Sequence, residues 1–282
     1  VRVTPSTLMP SGIRRMTLIT SEHISRLINL ESKVNYDKSP LEGKDPFIVI
    51  ENDSKVLISA PHGARTFRNN TEQIWHEEDE YTAGMALLLG ELCSVPVIAT
   101  SCRNDVYDPN YMANDNISYK LTLGRLIQQY HVRFVIDLHG AALYSEKLDP
   151  KQTIDLGLRQ KGKDIEPSME TAHVEKLESL LLDIGNPCDA SCFVIGRNKF
   201  PGAGKGTIIT FAANQKISGT EKNVQAIQIE MKPQVRIANR FLTATLYKSC
   251  GPYHAQTENV MHMLQSLASF IDYLKENEES SL

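Results

Sequence analysis

Two short apolar runs in this chain each close on a histidine followed by glycine. They are Val56-Leu57-Ile58-Ser59-Ala60-Pro61-His62-Gly63 and Phe134-Val135-Ile136-Asp137-Leu138-His139-Gly140. Between them lies an acidic cluster, Glu77-Glu78-Asp79-Glu80, and far downstream a third run carries one acid, Ile227-Gln228-Ile229-Glu230-Met231. Two imidazoles and a carboxylate leave an open position on zinc, the ligand set of a hydrolytic metal centre. A glutamate on a separate strand suits a general base.

Each feature has an ordinary structural explanation. A single strand-end histidine is most often a hydrogen-bonded structural residue; two of them, both His-Gly after apolar strands, point toward a metal. Acids at a helix start are favoured by the macrodipole, which accounts for the 77–80 cluster without excluding one member as a ligand. Glu230 differs, because a lone acid in a buried-type strand is costly unless paired or functional. Asp137 and His139 are two apart on a strand and share a face, so Asp137 is placed to orient the imidazole. The glycines after the two histidines let the chain turn away and leave room for substrate. His23, His76, His131, His173, His254 and His262 lie in polar or helical contexts and read as surface or core residues.

The elements that must position these groups alternate between strand and helix. Residues 20–32 form an amphipathic helix with Ser21 as its cap. Phe47–Ile50 and Val56–Ser59 flank Asn52-Asp53-Ser54 as a hairpin. Helices are expected over about 79–93, 115–130, 168–184 and 256–276. Strands are expected at 95–100, 134–138, 192–195, 207–211 and 225–231. The polar, Lys/Gly-rich stretch 145–167 reads as a long loop or small excursion. The pattern predicts one α/β domain over 1–282 with a parallel or mixed sheet, its ligand crevice at the carboxyl ends of the strands.

Composition narrows the setting. The 282 residues are 41% hydrophobic and 23% charged, with a net charge of −4, and the pI is about 6.1. No basic footprint points to nucleic acid, and no apolar stretch is long enough to span a membrane. No apolar run of signal-peptide length follows Arg14-Arg15, so a signal peptide is not expected. Cys93, Cys102, Cys188, Cys192 and Cys250 are odd in number and scattered, which fits thiols in a reducing cytoplasm. Cys188 and Cys192, four apart, read as ordinary thiols.

In separated blocks between about 56 and 240 the chain resembles the N-formylglutamate amidohydrolases, which belong with the zinc carboxypeptidase-like hydrolases. Ser59-Ala60-Pro61-His62-Gly63 is similar to the family's S-x-P-H-S-G block, and Glu77–Thr82 to E-x-D-x-x-T. Asp137-Leu138-His139-Gly140 is similar to D-x-H-S, Pro201–Ile208 to a glycine-rich segment before a strand, and Gln228–Met231 to Q-I-E-[IM]. The blocks follow the family's order. The resemblance implies a three-layer sandwich whose mixed central sheet is flanked by helices. It implies zinc on His62, Asp79 and His139, with Glu78 as the fallback acid, and Glu230 as the base. Ser101-Cys102-Arg103 is similar to the family's S-x-R segment, which gives Arg103 the scissile carbonyl or a substrate carboxylate. The implied activity is hydrolysis of an amide bond in a small N-acyl amino acid; carboxypeptidase-like or gamma-glutamyl peptide hydrolysis are the alternatives.

Two departures bear on the substrate. Asp108-Pro109-Asn110 matches a D-x-N element, but the arginine that follows in the family is Tyr111 here, and the turns after both histidines are Gly-Ala. Asn110 and Tyr111 remain substrate-binding candidates, and Arg197, Lys199 or Lys205 could supply the missing charge. One rival is nucleotide binding through Gly202-Ala203-Gly204-Lys205-Gly206-Thr207. It lacks the first glycine of a phosphate loop, which is Lys199, and a strand rather than a helix is expected next. Another is a metal-binding module without catalysis, against which Glu230 speaks. The expected partner is a small molecule or short peptide; oligomeric state is not legible.

Overall fold

The computed structural model describes residues 18–68, 73–143, 145–160, 166–183, 193–217, 219–239 and 257–277. Its strands are β1 (Phe47–Ile50), β2 (Val56–Ala60), β3 (Thr66–Arg68), β4 (Ile74–His76), β5 (Val97–Thr100), β6 (Phe134–Gly140), β7 (Ile154–Gly157), β8 (Ile195–Arg197) and β9 (Gln225–Met231). The helices are α1 (Ser21–Glu31), α2 (Thr82–Cys93), α3 (Ser118–Gln129), α4 (Thr171–Leu182), α5 (Ile208–Ala213), α6 (Pro233–Arg236) and α7 (Thr257–Glu276). Seven strands form a mixed sheet in the order β1-β5-β2-β6-β9-β7-β8, and β3 and β4 pair apart from it. Strands β5, β2, β6 and β9 run parallel, while β1 and β7 run antiparallel to their inner neighbours.

Side chains alternate across this sheet, and so do its two cores. Ile58, Ile136, Leu138, Ile227 and Ile229 pack with α1, α2, α4 and α7. Leu57, Val135 and Ala226 pack with α3 and α5 on the opposite face. By the two-residue period, Asp137, His139, Gln228 and Glu230 belong to the second face, at the carboxyl ends of β6 and β9. The layered α/β arrangement with a mixed sheet is the one expected from the sequence.

Several local expectations are corrected. Strands β1 and β2 are not a hairpin, because β5 lies between them and pairs with both. The 145–167 stretch contains β7, a buried strand of the main sheet between β9 and β8. Residues 208–213 are helix, not strand: the Thr207 side chain accepts Thr210 N–H and caps α5, a local bond that outweighs the β-branched composition. Helix α1 is capped by Thr20 rather than Ser21. Helix α2 starts at Thr82, after Tyr81 at φ 69°, so the acids 77–80 precede the helix rather than fill its first turn. The α2 amides of Tyr81 and Gly84 are instead met by Glu31 of α1, at 2.6 and 2.9 Å. Cys188, Cys192, Cys250 and Arg14-Arg15 lie outside the described residues. Among the described residues, no helix is long and apolar enough to cross a membrane.

Candidate metal centre

His62 stands two residues beyond the end of β2, and Asp79 is tied to it by backbone, its N–H donating to His62 O at 2.7 Å. His62 Nδ1 lies 3.5 Å from Asp79 Oδ2, and His139 Nδ1 lies 3.4 Å from the same oxygen. On their far sides, His62 Nε2 meets Asp108 Oδ1 at 2.7 Å and His139 Nε2 meets Asp137 Oδ2 at 2.9 Å. A ring that donates Nε2–H outward keeps its Nδ1 lone pair for the centre, the usual second contact of a ligating histidine. His62 Nδ1 is buried with no hydrogen-bond partner.

Those distances suit an ion. Tetrahedral zinc with ligands at about 2.0–2.1 Å sets neighbouring ligand atoms about 3.3–3.4 Å apart, close to both Asp79 spacings. The group whose ligand atoms all lie within 4.8 Å of one another is His62, His76 and Asp79. His139 stands outside it, so one ion on His62, Asp79 and His139 requires the two imidazoles to draw together. His76 stacks on His62 with ring centroids 3.9 Å apart, and its Nδ1 is bonded to Glu77 O at 2.6 Å.

Burial and the neighbouring charges oppose one another across the cluster. Burial alone would push His62 down, but Asp108 and Asp79 outweigh it and raise it to about 9. Burial also opposes the charge on His139, yet Asp137 and Asp79 raise it well above the ordinary imidazole value. Asp79 is held well below the usual carboxylate range because both histidines overcome its burial. Burial and the neighbouring His62 push His76 down to about 4.

Glu230 pairs in register with His139 on the adjacent strand, and both border one cavity of about 800 Å³. Burial raises Glu230 to about 7, with His139 pulling it down and Asp79 pushing it up. Gln228, two residues earlier on the same face, donates Nε2–H to Glu230 Oε1 at 2.8 Å. The fallback acid, Glu78, also borders the cavity and pairs with Arg65 Nε at 3.0 Å.

The other candidates divide. Arg103 does not border the cavity: its guanidinium pairs with Asp105 at 2.8 Å, bonds Ser39, and lies over Trp75. Arg197 is bonded twice to Glu178 at 2.6 Å and, like Lys205, lies off the cavity, whereas Lys199 borders it. Asn110 borders it and fixes Ile208 N–H at 2.7 Å. Tyr111 packs under Arg68, whose guanidinium lies 4.6 Å from its ring centroid and whose Nε bonds Asp108 at 2.9 Å. Thus a cavity-lining arginine stands beside Tyr111. Protein atoms fill the room a side chain would take at the glycine after each histidine, while Gly140 itself borders the cavity. A Cβ at Gly63 would stand 2.4 Å from Thr100 O, and one at Gly140 2.8 Å from the Arg236 guanidinium.

Asp108, Arg68, His76 and Arg236 were not assigned to the centre from sequence. Only the D-x-N spacing around Asp108 carried a signal.

No family model and no curated protein matches this chain. Among solved structures it is similar to a bacteriophage poly-gamma-glutamate hydrolase, at 12% identity over 81% of this chain and 90% of that one, with a TM-score of 0.42. It is also similar to a gene product of Agrobacterium tumefaciens, at 11% identity over 86% and 99% with a TM-score of 0.47. A metallo-carboxypeptidase from Burkholderia cenocepacia matches at 12% identity over 90% and 69%, with a TM-score of 0.44. These are likenesses of chain course and say nothing of substrate.

Proposed function

We propose that this protein is a zinc-dependent hydrolase of the amide bond in a small N-acyl amino acid of the N-formylglutamate type. The observation that supports it best is the convergence of His62 Nδ1 and His139 Nδ1 on one Asp79 oxygen, each imidazole backed by a buried aspartate. His62, Asp79 and His139 would hold the metal. We favour His139 over His76 because it stands on a central strand, while His76 belongs to the separate β3–β4 pair. A divalent ion held there would polarise a carbonyl and lower the pKa of a bound water toward about 7.

The remaining work falls to side chains. Glu230, buried beside His139, takes a proton from the attacking water and returns it to the departing nitrogen. Gln228 keeps its carboxylate aimed along the strand face. Asp108 and Asp137 hold the imidazoles in the tautomer that presents Nδ1 inward.

Metal content by elemental analysis tests the ligands. His62→Ala, Asp79→Ala and His139→Ala should lose zinc, while His76→Ala keeps it; the reverse result for His139 and His76 would put His76 in the ligand set in place of His139. A panel of N-formyl and N-acetyl amino acids, gamma-glutamyl peptides and free dipeptides separates the amidohydrolase from the peptidase alternatives. Zinc-loaded protein inert to all of them favours a binding module.

A further inference from the structure

Arg236 is 3% exposed and closes the short helix α6. Its Nε donates to Met231 O at 2.9 Å and its Nη1 to Glu80 O. Nη2 has no partner among the described residues, and no carboxylate pairs with the group. A guanidinium cannot shed its proton, and a buried charge left without a counter-ion is costly; two carbonyls offset only part of that. Arg68, Arg103 and Arg197 differ, since each already pairs with an acid.

The place of the group is informative. It lies flat against Gly140, the residue after His139, in room that exists only because that residue has no Cβ. Gly140 pairs with Met231 one step beyond the His139–Glu230 pair, and Arg236 borders the same cavity as those residues. The guanidinium therefore borders the cavity beside Gly140, one residue past the proposed reaction centre.

We propose that Arg236 anchors a carboxylate of the substrate, a few bonds from the scissile amide. The planar fork of a guanidinium matches the two oxygens of a carboxylate, and the substrate then supplies the missing counter-ion. The inference takes its location from the hydrolase reading but requires neither metal nor turnover.

Its test is binding of succinate to metal-free protein, read by calorimetry and by the fluorescence of Trp75, the single tryptophan, which borders the cavity. Wild type should bind succinate and not succinamide. Arg236→Met should weaken succinate binding by about 10- to 100-fold, and Arg236→Lys should recover part of it. Equal binding by wild type and Arg236→Met, or equal binding of succinamide, would overturn the assignment. If Arg236→Met fails to fold, a wild-type co-crystal with succinate decides: a carboxylate on Nη2 supports the anchor and its absence there refutes it. Loss of binding in the variant with zinc content and Glu230 dependence intact, or the converse, separates this inference from the hydrolase reading.

Discussion

Replacing Asp108 with asparagine probes how His62 is prepared for a metal. Asp108 is fully buried and accepts His62 Nε2 at 2.7 Å, Arg68 Nε at 2.9 Å and Asn110 N–H at 2.9 Å. Asparagine keeps the shape and one carbonyl acceptor but removes the charge, with two opposed consequences. The imidazole becomes a poorer ligand, an effect typically worth about 10–100-fold in metal affinity. Yet the same carboxylate helps hold a proton on His62, raised to about 9, and that proton must leave before an ion binds. In wild type this competition weakens binding by about 100-fold at pH 7 but only about twofold at pH 9. Without Asp108 the imidazole returns toward its ordinary value, and competition at pH 7 nearly vanishes. Zinc affinity of Asp108→Asn should therefore be about 5–50-fold weaker than wild type at pH 9, and equal or stronger at pH 7. A chromophoric chelator competing for zinc at the two pH values reads this directly. His62 belongs to both possible ligand groups, so the result does not hinge on His139 or His76. A deficit of equal size at both pH values would refute the proton competition, and no deficit at pH 9 would refute the orienting role.

Glu230→Gln should keep stoichiometric zinc and lose about 10²–10⁴-fold in turnover; full activity with zinc confirmed removes the base assignment. Arg103→Ala should leave zinc content and turnover within about twofold of wild type, because its guanidinium is spent on Asp105 and Ser39; a large loss of turnover would return it to the site. Glu31, buried and raised from 4.5 to about 7 mainly by burial, contributes stability that is complete below about pH 4.5 and is lost as pH rises through about 7. Relative to Glu31→Gln, wild type should thus lose about 3 kcal/mol between pH 4.5 and 8, measured by denaturant unfolding; parallel pH profiles would contradict it. Gly63→Ala brings a methyl within 2.4 Å of Thr100 O and 2.5 Å of Ala83 Cβ, and should cost about 1–3 kcal/mol, visible as a lowered melting temperature.

The parts of the fold legible in sequence are those covered on both faces. Strands β2, β6 and β9 read as apolar runs because cores lie above and below them. Strand β7 did not, since it is four residues long, carries Asp155 at its centre and is flanked by lysines and glycines. That acid is no error of burial: Asp155 accepts Phe200 N–H at 2.8 Å and Gln152 Nε2 at 3.0 Å, so it ties down the loop that borders the cavity. The false hairpin has another cause. Strands β1 and β2 are close in sequence, and nothing local reports that β5, some forty residues on, will insert between them. At α5, the run Thr207-Ile208-Ile209-Thr210 favours a strand, but one hydroxyl at the capping Thr207 decides for helix.

The centre shows the same division between what spacing reveals and what only the fold assembles. His62 and His139 stood out because each ends a buried run, and Asp137 because it shares a face with His139. Asp108 sits 46 residues from His62, on no element of its own, and no pattern along the chain joins them. Its role follows from charge. Asp79, Asp108 and Asp137 are all buried around two imidazoles, and Arg68 offsets Asp108, so with both rings neutral the cluster keeps two uncompensated negative charges. Against burial, the neighbouring aspartates raise both histidines, so protons on the two rings offset that charge. A divalent cation does the same without occupying the imidazoles' inward nitrogens with protons. Arg236, which pairs with no carboxylate among the described residues, borders the same cavity, so the metal and the carboxylate anchor proposed above place demands of opposite charge side by side.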